Sequence, residues 1–109
     1  METPTAADLN RIAAFYEPVE GRDDDGMIVQ DWILRFTLAA HVLYLRGSEA
    51  VMQARLQSKN PAIITIRHSV QARAITSEWR VKVDGRAFEI QEDPRPDQGR
   101  RTLAMLAQA

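Results

Sequence analysis

The side chains that most often do chemistry in proteins are sparse in this sequence. The chain has no cysteine, which excludes thiolate catalysis, disulfides and cysteine-ligated zinc. His41 and His68 are the only histidines, and each falls in a stretch that reads as a strand. Isolated histidines of this kind are typical of interior or surface positions rather than of an open zinc site. We therefore predict neither a catalytic nor a metal-binding role for them.

Three consecutive carboxylates, Asp23 to Asp25, invite comparison with a calcium loop. An EF-hand loop needs acidic residues at its first, third and fifth positions, glycine at the sixth and glutamate at the twelfth. With Gly26 at the sixth position, Gly21 and Trp32 occupy the first and the twelfth, so the pattern fails at both ends. The acidic run is interpreted as the solvated tip of a hairpin. Phosphate-binding and hydrolase motifs are also missing from the sequence, and we predict no catalytic residue, cofactor or metal.

The totals favour one soluble domain with a modest core. The 109 residues are 45% hydrophobic and 27% charged. A net charge of −1 creates no field that favours nucleic acid or an anionic membrane. The most apolar run, 32–45, is too short and too interrupted to span a bilayer. Two other classes stay open, a small nucleic-acid-binding barrel and a small enzyme subunit, although a basic aromatic groove and a catalytic constellation are not visible.

A hairpin is the clearest local element of the sequence. In VKVDGRAFEIQED, residues 81–93, two alternating apolar runs flank Asp84 and Gly85. Asp-Gly between such runs is typical of a type I′ turn, which requires positive φ at both central residues. Asp84 and Gly85 are therefore predicted to form a structural turn.

The longest periodic segment predicts a long strand. Apolar residues occupy alternate positions over 32–44, the period of a pleated strand with one apolar face. The predicted core face consists of Trp32, Leu34, Phe36, Leu38, Ala40, Val42 and Tyr44.

The other segments complete a mainly β chain. We expect residues 1–10 to form a flexible N-terminal arm and 11–109 a single domain. The predicted elements are a first strand over 11–19 that ends at Pro18, a helix over 47–59, a strand over 62–69, and an end strand over 102–107 that pairs with 86–91. The fold class is thus a small antiparallel β-barrel or sandwich with one inserted α-helix.

The order of these elements resembles a known family. An acidic glycine turn precedes a long strand that opens at a tryptophan, and AAHVLYLRGSEAVMQARL carries that strand into the predicted helix. IITIRHS and WRVKVDGRAFEIQED follow, before a Gly-Arg turn and an apolar end strand. Over about residues 9 to 107, the chain resembles the head–tail joining proteins, the head-closure or stopper proteins of long-tailed phages and gene transfer agents.

The resemblance implies a structural role. Proteins of this family form a ring in the neck, with the portal and its adaptor on the head side and the tail terminator or tail tube on the other. The ring seals packaged DNA in the capsid, docks the tail and later lets the DNA pass. Six copies are what the family most often implies, with twelve as the alternative. The resemblance implies a virion location after assembly in the bacterial cytoplasm, and no cofactor.

One segment is a candidate contact surface of that ring. The predicted helix is the only helical period in a β chain, and it carries more polar side chains than a covering helix needs. The alternative is a lid over one end of the strands, made by Val51, Met52 and Leu56. The candidate interface or channel-facing residues are Arg46, Glu49, Gln53, Arg55, Gln57 and Lys59.

Overall fold

Seven antiparallel strands form a single sheet in the computed structural model, which describes residues 8–45 and 60–109. The mainly β, antiparallel class is confirmed, and the strands make one sheet rather than the two of a sandwich. The strands are β1 (Arg11–Arg22), β2 (Ile28–Tyr44), β3 (Pro61–Arg67), β4 (Arg80–Val83), β5 (Arg86–Ile90), β6 (Arg95–Pro96) and β7 (Thr102–Gln108).

The sheet closes on itself. Its strand order is β3-β2-β1-β4-β5-β7-β6, and a further pairing joins β3 to β7 along the whole length of both strands. Six strands therefore form a closed ring of pairings, while the two-residue β6 extends the edge of β7 that β5 leaves free. Closure removes most of the unpaired strand edges that would otherwise invite aggregation.

The core fills the inside of this ring. Phe15, Phe88, Ile64, Ile66 and Met105 are among its largest fully buried side chains, and they come from four strands, β1, β3, β5 and β7. Burial of side chains of this size contributes roughly 1.5–3 kcal/mol each, so the ring interior is the main source of stability. Among the described residues, no buried side-chain nitrogen or oxygen lacks a hydrogen-bond partner.

The first strand is longer than its sequence suggested. It was expected to end at Pro18, yet it continues to Arg22, and Pro18 pairs with Trp32 of β2. The second neighbour of β1, the strand β4, pairs only with Ala13 to Tyr16. Pro18 therefore lies where β1 has a single neighbour, a position in which the missing N–H of proline is tolerated.

The long strand β2 is confirmed, but its predicted core face is only partly right. Ala40 is fully buried, and Phe36, Leu38 and Val42 pack against the core while staying half-buried. Leu34 and Tyr44 are exposed, at 51% and 44%. The pattern holds from Phe36 to Val42, where β2 packs against the core, because the alternation states which face is apolar but not what covers it.

The loop between β3 and β4 contains one 3-10 turn, Ala72–Ala74. Ser69 Oγ accepts a hydrogen bond from the N–H of Ala72 at 3.0 Å, which fixes the start of this turn. Ala72 and Ile75 are buried. The loop is thus held to the ring by two apolar side chains.

The prediction for the end strand named the wrong main partner. We predicted that 102–107 pairs with 86–91, but β7 pairs with β5 at two positions only, Glu89 with Gln108 and Ile90 with Ala107. Its full-length partner is β3. The predicted helix over 47–59 lies outside the described residues, as do residues 1–7 of the predicted N-terminal arm. The described residues contain no α-helix.

Candidate interaction surface

The two ends of the strand ring carry different features. Leu45 and Pro61 lie side by side at one end, where the N–H of Leu45 donates to the carbonyl of Pro61 at 3.1 Å. The connection between β2 and β3 therefore leaves and re-enters the ring at neighbouring points. The six candidate interface residues, Arg46, Glu49, Gln53, Arg55, Gln57 and Lys59, all belong to this connection and lie outside the described residues.

Asp84 and Gly85 lie at this same end. Their φ angles of 53° and 78° are the two positive values that a type I′ turn requires, and they join β4 directly to β5. Arg11, at the start of β1, forms an ion pair with the carboxylate of Asp84. Tyr44 also lies here, with its ring 6.3 Å from that of Phe88. Tyr44 thus packs against a core residue at the end of the strand ring from which the β2–β3 connection departs.

At the opposite end, β1 and β2 extend beyond the ring as a two-stranded arm. The neighbour of β1 ends opposite Tyr16, and the neighbour of β2 begins opposite Ala40. Residues 17–22 and 28–33 pair only with one another. We call residues 17–35 the arm. At about 3.3 Å per residue, its six residues from Glu17 to Arg22 reach roughly 20 Å from the strand ring.

A β-bulge marks the base of the arm. Phe15 pairs with Phe36 and Tyr16 pairs with Leu34, so Arg35 is an extra residue of β2 between these two pairs. A bulge bends its strand and increases the local twist. Arg35 donates to Glu17 at 2.6 Å across the two strands, which fixes the bend.

The tip of the arm is organised by one of the three carboxylates. Asp23 Oδ1 accepts hydrogen bonds from the N–H groups of Asp25, at 3.0 Å, and Met27, at 2.8 Å. Gly26 has φ of 80°, a left-handed conformation that glycine adopts without steric cost. The acidic run is the tip of a hairpin, as predicted from the sequence. The side chain of Asp23 accepts hydrogen bonds there from backbone N–H groups.

The arm exposes apolar and acidic side chains together. Residues 17–35 contain six acidic and two basic residues, a net charge of −4, whereas the whole chain carries −1. Pro18, Ile28 and Glu78 contribute to an open groove between the arm and the loop before β4. The large apolar side chains exposed on the arm are Met27, Ile28, Val29, Ile33 and Leu34.

The histidines take no part in a cluster. His41 lies opposite Thr65 in the pairing of β2 with β3, and the N–H of His68 donates to the carbonyl of Arg101 at 2.8 Å. Within residues 8–45 and 60–109, no three histidine, cysteine, aspartate or glutamate side chains come close enough to hold a metal ion. The distinctive surfaces of the molecule are thus the arm and the opposite end of the ring, which suit contact with other proteins.

Comparison with known families decides the assignment. Residues 4–109 match the family described as phage head completion protein. The chain belongs to this family. The resemblance inferred from the sequence is confirmed, and the protein is a structural component of the virion rather than an enzyme.

Solved structures show the same fold. The solution structure of a protein from Shigella flexneri 2a is 26% identical, covers 95% of each chain and superimposes with a TM-score of 0.70. A chain in the virion of a native gene transfer agent particle is 24% identical, covers 91% of this chain and 92% of its own, and has a TM-score of 0.63. No curated protein sequence matches this head completion protein. The part of the chain that the structure describes contains no helix that could cross a membrane.

Proposed function

We propose that this head completion protein is the stopper, or head-closure, subunit of the particle neck. Six copies form a ring between the portal with its adaptor and the tail terminator or tail tube. The ring seals DNA in the filled capsid, docks the tail and forms the passage through which DNA leaves. The family match carries this proposal because it spans nearly the whole chain, so the entire domain is the head completion unit.

The architecture supports a position between two assemblies. The closed strand ring is a rigid body, because nearly every strand has a neighbour on both edges. Its two ends differ, with the arm at one end and the paired Leu45 and Pro61 at the other. A subunit that contacts different proteins above and below needs two such unlike ends.

Loss of the protein tests the proposed role. Particles assembled without it should package DNA and then release it, and their heads and tails should remain separate. Supplying the wild-type chain in trans is the control and should restore filled, tailed particles. Particles that keep their DNA and carry tails in its absence would contradict the proposal.

The connection 46–59 is proposed as a contact of this ring, facing the channel or a neighbouring subunit. This rests on the polar side chains of the connection and on its departure from one end of the strand ring of each copy, between Leu45 and Pro61. Reversal of two charges, Glu49→Arg with Arg55→Glu, should leave the free energy of unfolding within about 0.5 kcal/mol of wild type, as surface changes usually do.

The same double variant should impair ring assembly or the retention of DNA in filled heads. The competing lid hypothesis predicts a different result. Met52→Ala and Leu56→Ala would then each cost about 2–5 kcal/mol as truncations of buried side chains. A charge-reversed protein that builds necks and holds DNA normally would exclude the interface.

A further inference from the structure

We infer that the arm is the contact that joins neighbouring copies of this chain: it docks on the surface of a second copy formed by Arg67, Val70, Arg73 and Arg101. We call these four residues the basic surface. The inference rests on the proposed ring and names the residues that build it. It starts from the arm, whose exposed apolar side chains and free strand edges are not covered by any of the described residues.

An uncovered strand edge is normally protected in a soluble protein. Charge, proline, a bulge or a covering loop usually serves this purpose. The arm carries Pro18 and several charged residues, and its bulge lies at its base, yet large apolar side chains remain exposed further out, at Ile28, Val29 and Ile33. A strand pair with this much exposed apolar surface is typical of an interaction site.

The net charges of the arm and of the rest of the molecule indicate which surface of a second copy covers the arm. Two arms would meet with net charges of −4 each, so contact between the arms of two copies is disfavoured. The described residues outside the arm contain nine basic and seven acidic side chains, which leaves them positive. Charge complementarity therefore favours an arm of one copy on the body of the next.

The basic surface is the part of the body that matches the arm. Arg67 pairs with Thr102, and the N–H of His68 donates to the carbonyl of Arg101, so Arg67 and Arg101 lie on adjacent chain segments. The N–H of Arg73 donates to the carbonyl of Ser69 at 3.1 Å, which returns the loop towards the end of β3. All three arginines are exposed and form no ion pair with another described residue.

Val70 gives this surface an apolar centre. It is 77% exposed, the highest value among the large apolar residues described. Val70 stands between Arg67 and Arg73 in the chain, so this segment presents an exposed apolar residue with unpaired arginines, which is complementary to an arm that presents apolar residues with carboxylates. On the arm, Glu20, Asp24 and Asp25 likewise form no ion pair within residues 8–45 and 60–109.

The two surfaces also lie at the same end of the molecule. Ala40 pairs with Ile66, so β3 ends at Arg67 on the side towards the arm. In a cyclic assembly whose axis runs along the strand ring, neighbours are related by rotation without translation along that axis, so two surfaces at the same end of the molecule can meet. A contact between two different surfaces then closes into a ring when the rotation permits.

Disulfide trapping between two single-cysteine proteins tests this contact. The chain has no cysteine, so Met27→Cys on the arm and Val70→Cys on the basic surface each introduce one thiol. Both positions are exposed, at 65% and 77%, so neither change removes a core contact. Under mild oxidation, the mixture should form cross-linked dimers about tenfold or more faster than either protein alone, since opposite charges steer association.

Charge reversal supplies the control for specificity. Glu20→Lys, Asp24→Lys and Asp25→Lys in the Met27→Cys protein should slow cross-linking, as should Arg67→Glu, Arg73→Glu and Arg101→Glu in the Val70→Cys protein. The two reversed proteins together should regain the fast rate. The exposed Lys82 lies on β4, and Lys82→Glu in the Val70→Cys protein should leave the rate unchanged. Rescue by double reversal requires direct contact and would not follow from a folding defect.

The possible results separate this inference from the proposed function. Equal rates for the mixture and the single proteins, or no rescue by double reversal, would overturn the contact between arm and basic surface. If the protein is then still found as a ring in the particle neck, the proposed function stands with a different interface. If it is absent from the neck, the proposed function fails, whatever the cross-linking shows. Loss of DNA binding by the arginine variants without loss of cross-linking would assign the basic surface to nucleic acid.

Discussion

Individual phenylalanines differ in how much they contribute to the core, although the sequence presents them alike. Phe15 and Phe88 are fully buried, whereas Phe36 is half-buried and packs 5.5 Å from the Phe15 ring and 5.8 Å from the ring of Trp79. The alternating pattern of β2 placed Phe36 on the predicted core face. Burial of Phe15 and Phe88 depends on the strands that surround them, which no local pattern specifies.

We predict that Phe88→Ala lowers the free energy of unfolding by about 3–5 kcal/mol, the usual cost of removing a fully buried aromatic side chain. Phe36→Ala should cost clearly less, because part of its ring is already in contact with water. Denaturant titration of both variants measures the difference. Equal losses would mean that Phe36 is as buried as Phe88.

Two glycines, Gly85 and Gly99, both have room for a Cβ atom but differ in backbone conformation. Gly85 has φ of 78° and no atom within 4 Å of an added Cβ, whereas an added Cβ at Gly99 meets only ordinary contacts near 3.7 Å and needs no left-handed backbone. We predict that Gly85→Ala costs roughly 1–2 kcal/mol, the penalty for an L-residue in the left-handed region. Gly99→Ala should be close to neutral. A Gly85→Ala protein with the wild-type denaturation midpoint would contradict the turn geometry.

The acidic tip allows a matched comparison of two neighbouring carboxylates. Asp23 accepts two backbone hydrogen bonds, while Asp24 accepts none from the described residues. Asp23→Ala should therefore destabilise the protein by about 1 kcal/mol, since a hydrogen bond contributes roughly 0.5–1.5 kcal/mol net. Asp24→Ala should lie within about 0.5 kcal/mol of wild type, as surface changes usually do. Thermal melts that do not distinguish the two variants would show that the tip is not held by Asp23.

At the scale of elements, the turns could be predicted from the sequence, but the exposure of the apolar strand residues could not. Asp84-Gly85 and Asp25-Gly26 mark their hairpins because a positive φ is a property of one or two residues. The strand content also followed from period two. The arm was not foreseen, since its apolar residues obey the same alternation as those of a buried strand. The available signal was length: β1 and β2 span 12 and 17 residues, while the other strands span seven or fewer and cannot cover them.

We predict that shortening the arm leaves the closed strand ring of the single chain folded. Deleting Val19 and Glu20 together with their partners Asp31 and Gln30 removes two whole cross-strand pairs and keeps the tip turn. The core residues all lie outside this segment, so the melting temperature should stay near that of the wild type. The shortened protein should nevertheless lose cross-linking between copies. Cooperative unfolding at a much lower temperature would show that the arm is part of the core.

At the scale of the whole molecule, ring closure depends on contacts that are distant in sequence. The pairing of β3 with β7 joins Pro61 to Gln108 and closes the sheet. The main partner of β7 is therefore β3 and not the predicted strand over 86–91. Such pairing depends on where several strands meet, so turn signals cannot locate it. The family, by contrast, was recognised from the order of elements, because that order runs through nearly the whole chain.

A cryo-electron microscopy reconstruction of the neck of filled particles that contain this protein tests the central claim most directly. The account predicts one ring of six copies between the portal side and the tail, with the arm of each copy lying against Arg67 and Arg73 of the next. A neck without density for this fold, or with the protein placed elsewhere in the particle, would contradict it.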